Sequence, residues 1–531
     1  MPADGGSAFP IAAFAFMTQS NGLLMPFSQQ YPLGAQIPNS VHAVCVSLPT
    51  LSDVVAYEEG HPEARRVITA GYPRFVTHFY IQQLADHVSG VYGLEGRRVC
   101  LVPTMEPQWA SKWGLWAFIG ENSGLQYLKA DGFGVLHVPE QDVATFNRLR
   151  AFLQHTGLVL SSRQAEDLLL KAGLIEVRQL EPLFRGAAEA MIEGKLKELF
   201  GLREVEDVVL CSSGMNAFYA AFKAINAVQT PRGRNLWVLL GWVYMDTYHV
   251  LKSMNSDGRE LRVLRDVFDV QALEAVLKAH GEQVAGILCE VPTNPLLQTC
   301  DLPQIKELAE GCGAALLVDP TLSSPYNIDV LPYADLVVNS LTKYAASQGD
   351  VMAGSVVLNT RSSFYESFKS CIVTTRQPLY YRDAQRLAFE IQDYEIRVAA
   401  MNANAMAMAA FLESCRSVKK VYWAYEACSR RHYEQLAQGP ARPGACLTIE
   451  LNKPLAEFYD RARVVKGPSF GTVFTLMCPY MYLAHYSLVR NPKGRRTLRE
   501  WRINPDLVRI SVGTEPTGAL LGVFKEVLDD S

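Results

Sequence analysis

The sequence lacks the features that announce a metal, a nucleotide or a membrane. Its eleven cysteines lie far apart, the nearest two being Cys289 and Cys300, and no CxxC pair occurs. A zinc ribbon and a dithiol redox pair are therefore without support, and free thiols in a reducing cytoplasm are the expectation. The ten histidines form no HExxH-like group, so no metal site is expected. Neither a Walker-type phosphate loop nor a GxGxxG turn after a strand is present, which removes nucleoside triphosphates and Rossmann dinucleotides from the candidates. No run of eighteen apolar residues occurs, and the apolar stretch 8–17 is short and lacks a basic flank. Neither a membrane helix nor a secretory leader is expected. The net charge is only −4 over 531 residues, too small to drive binding to nucleic acid or a lipid surface. The one basic run, 490–502, carries a single interleaved aromatic, Trp501, and reads as a solvated loop.

What is present is an ordinary globular composition, 49% hydrophobic and 20% charged, in a chain too long for a single core. Residues 1–75 read as an N-terminal arm, of which 1–40 are rich in Gly, Ala, Pro and Gln with little period. Residues 76–185 carry short apolar runs at 97–104 and 133–139, which look like strands, and a helical pattern at 143–156, read as a helix between them. They read as an inserted α/β segment. Within 186–375 the pattern becomes regular. Apolar runs at 235–243, 284–291, 313–320, 334–340 and 353–359 alternate with helical patterns at 273–282 and 302–312. Buried runs alternating with helices predict βαβ units and a mostly parallel sheet covered on both faces. Residues 376–531 begin with long helical stretches, notably 393–415, and return to strands such as 445–451, which predicts a smaller C-terminal α+β domain.

In open sheets of this kind ligands sit beyond the carboxyl ends of the strands. Three such ends carry chemistry. CSSGM (211–215) follows an apolar run and opens a helix, so backbone N–H groups face a possible anion. Asp319 ends LLVDP, where a carboxylate can cap a turn or pair with a protonated ring nitrogen. Lys343 stands in SLTKY (340–344), after another apolar run. A phosphate seat, an acid and a lysine at one sheet edge suit pyridoxal phosphate, which needs donors for its phosphate, a carboxylate on its pyridine nitrogen and a lysine for covalent attachment.

These blocks resemble the cysteine and methionine metabolism family of pyridoxal-phosphate enzymes, and the first 75 residues resemble the long cystathionine γ-synthase-like proteins of fungi and some bacteria. The resemblance implies an aspartate-aminotransferase-like (fold type I) α/β architecture. It implies that Lys343 carries the cofactor and moves protons. Ser340 and Thr342, with Ser213, Gly214 and Met215, would hold the phosphate, and Asp319 would face the pyridine nitrogen. Tyr244, in VYMDTY, would stack on the ring and assist catalysis. Asn294 of the PTNP block, Ser469 of PSFG and Arg509 of LVRISVGTE would bind the substrate, the guanidinium clamping its α-carboxylate. Tyr72 and Arg74 match a Tyr-x-Arg element that reaches into a neighbouring subunit, so a homodimer or homotetramer with shared sites is expected. The implied activity is γ-replacement on an activated homoserine, in sulfur amino-acid metabolism. Alternatives are γ-elimination to an oxoacid or an unsaturated amino acid, and γ-replacement by a non-thiol nucleophile. Several positions depart from the family pattern, among them Met245 and Asp246, which stand where the family has two glycines.

Overall fold

The computed structural model describes residues 29–529 apart from 73, 104–113, 121–122 and 255–259. Residues 1–28 of the expected arm lie outside the described residues. The described arm opens with two short antiparallel strands, β1 (Gln36–Ile37) and β2 (Cys45–Val46). A helix over Leu51–Glu59 follows. Thr50 starts it with a reciprocal cap, its side chain accepting from the Asp53 N–H while Asp53 accepts from the Thr50 N–H.

The described residues of 76–185 include a three-stranded antiparallel sheet. Its strands are β3 (Arg97–Val102), β4 (Gln126–Ala130) and β5 (Phe133–Pro139), in the order β3-β5-β4. Alternate residues of β5 serve two cores. Phe133 and Val135 pack with the segment's own Ile81, Leu84 and Leu169. Leu136 and Val138 join Phe152 in a core shared with Phe218, Phe222 and Trp237 of the large sheet. The helix Val143–Thr156 has the bounds its periodicity gave, and follows both strands rather than separating them.

The large sheet has seven strands: β6 (Val208–Cys211), β7 (Leu236–Leu240), β8 (Glu260–Leu264), β9 (Val284–Glu290), β10 (Ala315–Asp319), β11 (Leu336–Ser340) and β12 (Gly354–Leu358). Their order is β6-β12-β11-β10-β9-β7-β8. Pairings among β11, β10, β9, β7 and β8 are parallel, and β12 runs antiparallel to both its neighbours. Central strands such as β9 and β12 are buried along their whole length, as strands covered on both faces must be. Beyond it, the helices Tyr381–Glu390 and Tyr394–Ser414 lead into a five-stranded sheet. Its strands are β13 (Val418–Tyr422), β14 (Cys446–Leu451), β15 (Val465–Lys466), β16 (Leu476–Pro479) and β17 (Val508–Ser511), ordered β13-β14-β17-β16-β15. The basic run is not a loop. Pro492–Glu500 is a helix capped by Asn491, whose side chain accepts from the Gly494 N–H. Among the described residues no helix is long and apolar enough to cross a membrane.

Candidate active site

The carboxyl ends of β6, β9, β10 and β11 meet at one cavity of about 660 Å³, which residues of the arm and of the C-terminal sheet close. Lys343 lies three residues past the end of β11. Its ammonium group donates to the Tyr72 hydroxyl and to Ser469 Oγ at 3.3 Å, and the two hydroxyls are 2.7 Å apart. The ammonium also stands 4.9 Å from the centre of the Phe470 ring. The neighbouring Tyr344 is structural: its phenol donates to the Leu322 carbonyl at 2.8 Å.

Asp319 ends β10 with its carboxylate in the cavity. Burial pushes its pKa up to about 6, while the hydroxyl and N–H of Thr321 pull the other way. Thr321 also ties the acid to the lysine strand, because its hydroxyl accepts from the Ser340 N–H at 2.9 Å. Arg509, on β17, is buried. It donates to Asn294 Oδ1 at 3.1 Å and to the Ser469 carbonyl at 3.3 Å, with Phe470 and Tyr480 beside its plane. The three expected substrate contacts, Asn294, Ser469 and Arg509, are therefore one hydrogen-bonded group.

At the opposite wall the helix Gly214–Gln229 begins. The hydroxyl of Ser213 caps it by accepting from the Asn216 N–H at 3.1 Å. Accepting that bond leaves the hydroxyl's own proton to donate. Beside it the loop offers an anion the unpaired first-turn amides of Gly214 and Met215. The Thr342 hydroxyl is likewise engaged, accepting from the Ala353 N–H at 3.1 Å and lying 3.3 Å from its carbonyl. A Cβ on Gly214 would stand 2.7 Å from the Ser340 Cβ, so only glycine lets loop and lysine strand close into one cradle.

Tyr72 and Arg74 line the cavity of their own chain, Tyr72 at Lys343 and Arg74 at Tyr244. Arg74 donates through Nη2 to the Tyr244 hydroxyl at 2.7 Å and through Nη1 to Asp246 and to the Gln154 carbonyl at 2.9 Å. Beside them the backbone N–H groups of Phe75 and Val76 return to the Tyr72 carbonyl.

Four contributors were not singled out in the sequence. Glu290, buried at the end of β9, accepts from the Tyr244 N–H at 2.6 Å. Its carboxyl is held well above the usual range by burial and by the charge of Asp319. Glu58 lines the cavity with a pKa pushed by burial to about 8. Gln154 and His155 come from the 76–185 segment, to which no chemistry had been assigned; no sequence signal marks them, since only the folded helix end brings them to Asp246.

The donor set fits pyridoxal phosphate. It offers free amides opposite a lysine, a carboxyl poised near neutrality that gains by facing a protonated ring nitrogen, and a buried guanidinium for a carboxylate. The cavity has room for the cofactor and a small amino acid.

Comparisons agree with this geometry. A family model described as "Cys/Met metabolism PLP-dependent enzyme" matches residues 188–529. The chain is 39% identical over 493 residues to the L-2-amino-4-chloropent-4-enoate dechlorinase/desaturase of Streptantibioticus cattleyicolor, covering 93% of this chain and 97% of that protein. It is 28% identical to the cystathionine gamma-synthase-like protein ankD of Aspergillus thermomutatus, covering 93% and 94%. Among solved structures, metB of Corynebacterium glutamicum superposes with a TM-score of 0.56 at 25% identity, covering 65% of this chain and 85% of that one.

Proposed function

Because the chain belongs to the Cys/Met metabolism family of PLP-dependent enzymes, we propose that it removes a leaving group from the γ-carbon of an amino acid without replacing it, leaving an unsaturated amino acid. The observation that carries this reading is the far side of the cavity. Its lining includes Val46, Leu48, Ile68, Val76 and Leu483, with the Glu58 carboxyl and the exposed Arg65 and Arg150 beside them. An apolar wall suits a small uncharged γ-substituent. A replacing amino acid such as cysteine would bring a second carboxylate, and of the buried guanidinium groups Arg509, with Asn294, serves the substrate's own carboxylate while Arg74 is paired with Asp246. The similarity to a dechlorinase/desaturase over nearly the whole length of both proteins supports the same reading.

Bound pyridoxal phosphate supplies an electron sink that acidifies the substrate's Cα and, after it, Cβ. The chain's residues do the rest. Arg509 and Asn294 receive the α-carboxylate and fix which bond at Cα faces Lys343. The amine of Lys343, freed once substrate is bound, takes the proton from Cα and then one from Cβ, because a γ-group leaves only when electrons arrive from Cβ. Tyr72 and Ser469 hold that amine between the two carbons. The group departs with its bonding electron pair, Lys343 returns one of the two protons to Cα, and the net change is loss of HX with one new unsaturation.

The test is a panel of γ-substituted amino acids, including γ-halides and O-acylhomoserine, incubated with and without cysteine and read by mass spectrometry. The expected outcome is the same unsaturated product in both series. A thioether adduct as the main product would return the assignment to γ-replacement.

A further inference from the structure

Beyond Val76 and Thr77 at its start, the described part of the 76–185 segment meets the active site at the end of the helix Val143–Thr156. Three features meet there. Gly157 ends the helix at φ 71°, and a Cβ on it would stand 2.3 Å from Ser213 Oγ, so the helix end rests against the loop that opens the anion seat. The Gln154 carbonyl, one of the four helix-terminal carbonyls without an intrahelical partner, accepts from Arg74 Nη1. Asp246, fully buried, receives Gln154 Nε2 and His155 Nδ1 on one oxygen, each at 3.0 Å, and Arg74 on the other. His249 stacks on His155 at 5.0 Å. Burial alone would raise the Asp246 pKa, but Arg74, His155 and Gln154 outweigh it and hold the acid at about 2.

We propose that Gln154, His155 and Asp246 form a positioning relay, through which the 76–185 segment fixes Arg74 and thereby Tyr244. Asp246 is a fixed anion with three partners, so the guanidinium it grips cannot swing. Nη2 of that guanidinium then donates to the Tyr244 hydroxyl, which leaves the phenol's own proton free to point into the cavity. The acid stands where the family pattern has glycine, and its braces come from a segment outside the family match at 188–529. The relay thus ties a departure in the sequence to the extra segment beside it.

This inference rests on the proposed cofactor and lysine roles, and the experiment separates the two. Asp246→Asn, Arg74→Gln and the double variant are prepared, and pyridoxal phosphate affinity is measured by absorbance titration beside kcat and KM. Removing a carboxylate that merely stood near an anionic cofactor would tighten binding. The relay predicts the opposite: Asp246→Asn binds the cofactor about five-fold or more weakly and loses about ten-fold in kcat with KM nearly unchanged. The double variant behaves like Arg74→Gln alone. His155→Gln, which removes one brace, shifts both quantities in the same direction by less, and serves in place of Asp246→Asn should that variant not fold. Unchanged or tighter binding in these variants, or additive losses in the double variant, overturns the relay. Borohydride reduction of the parent, followed by peptide mapping, is the control. Attachment at a lysine other than Lys343 would overturn the cofactor reading itself.

Discussion

Asp319 carries the sharpest consequence at the scale of a single residue. Its carboxyl titrates at about 6 in the free chain because burial outweighs the two bonds from Thr321. Pairing with a protonated ring nitrogen requires the ionised form. Above pH 6 that form is already present, and below it binding must expel a proton, so affinity falls by up to about ten-fold per pH unit of acidification. Cofactor titrations between pH 5 and 8 should show this slope in the parent. Asp319→Asn should bind weakly throughout and keep only the slope of the cofactor's own phosphate. Equal slopes in the two proteins would remove Asp319 from the ring nitrogen. Lys343, Asp319 and Arg509 were legible in the sequence because each sits in a short block at a strand end, where residue type and position together name a chemistry. Gln154 and His155 were not, because their role exists only through contacts across 91 and 92 residues of chain.

At the scale of elements, strand and helix cores were readable from apolar runs and periodicity. The run at 302–312 is the helix Leu302–Cys312, and 394–414 lies inside the expected 393–415. The edge strand Glu260–Leu264 escaped notice, since its alternation of half-buried and charged residues gives no apolar run. Also hidden was the joint between the 76–185 segment and the rest. Arg163, buried in the helix Ser162–Lys171, donates to Glu181, to Asp383 at 3.0 Å and to the Asp350 carbonyl at 2.9 Å. Arg382 bridges to Glu166 at 2.7 Å and to Asp167 at 2.8 Å. Charged side chains in sequence look like solvated faces, and only the fold shows them paired in the interior. Arg163→Ala should cost about 3–5 kcal/mol in denaturant unfolding, because it strands buried carboxylates. A loss under about 1 kcal/mol would mean the network is dispensable. Burial would raise Glu166, yet its bonds from His42, the Gln179 N–H and Arg382 hold it at about 2. A carboxyl depressed on folding adds stability above its unfolded pKa. That contribution should therefore drain away as pH falls from about 4.5 toward 2, and acid unfolding of Arg382→Ala, which removes one of those partners, should be less steep than that of the parent.

At the scale of the molecule, the arm, the 76–185 segment, the large sheet and the C-terminal sheet each place residues in one cavity. The resemblance assigns Tyr72 and Arg74 to a neighbour's site; in the chain described both line the cavity that holds its own Lys343. The distinction is measurable by mixing. Arg74→Ala and Lys343→Ala chains, unfolded and refolded together so that any hybrids form, should recover no activity, because each chain still lacks one residue in its own site. Recovery of a substantial fraction of parental turnover would mean the arms exchange between subunits.

The most direct test of the central claim, that Lys343 moves protons at both Cα and Cβ to expel a γ-substituent, is turnover in heavy water. The unsaturated product and the recovered substrate are analysed for deuterium position by NMR. The account predicts, in the parent, deuterium at Cα of the product and one original hydrogen left at Cβ, and neither change above background in Lys343→Ala. A product that keeps both Cβ hydrogens, or turnover confined to β-substituted amino acids, would contradict it and place the chemistry at the β-carbon.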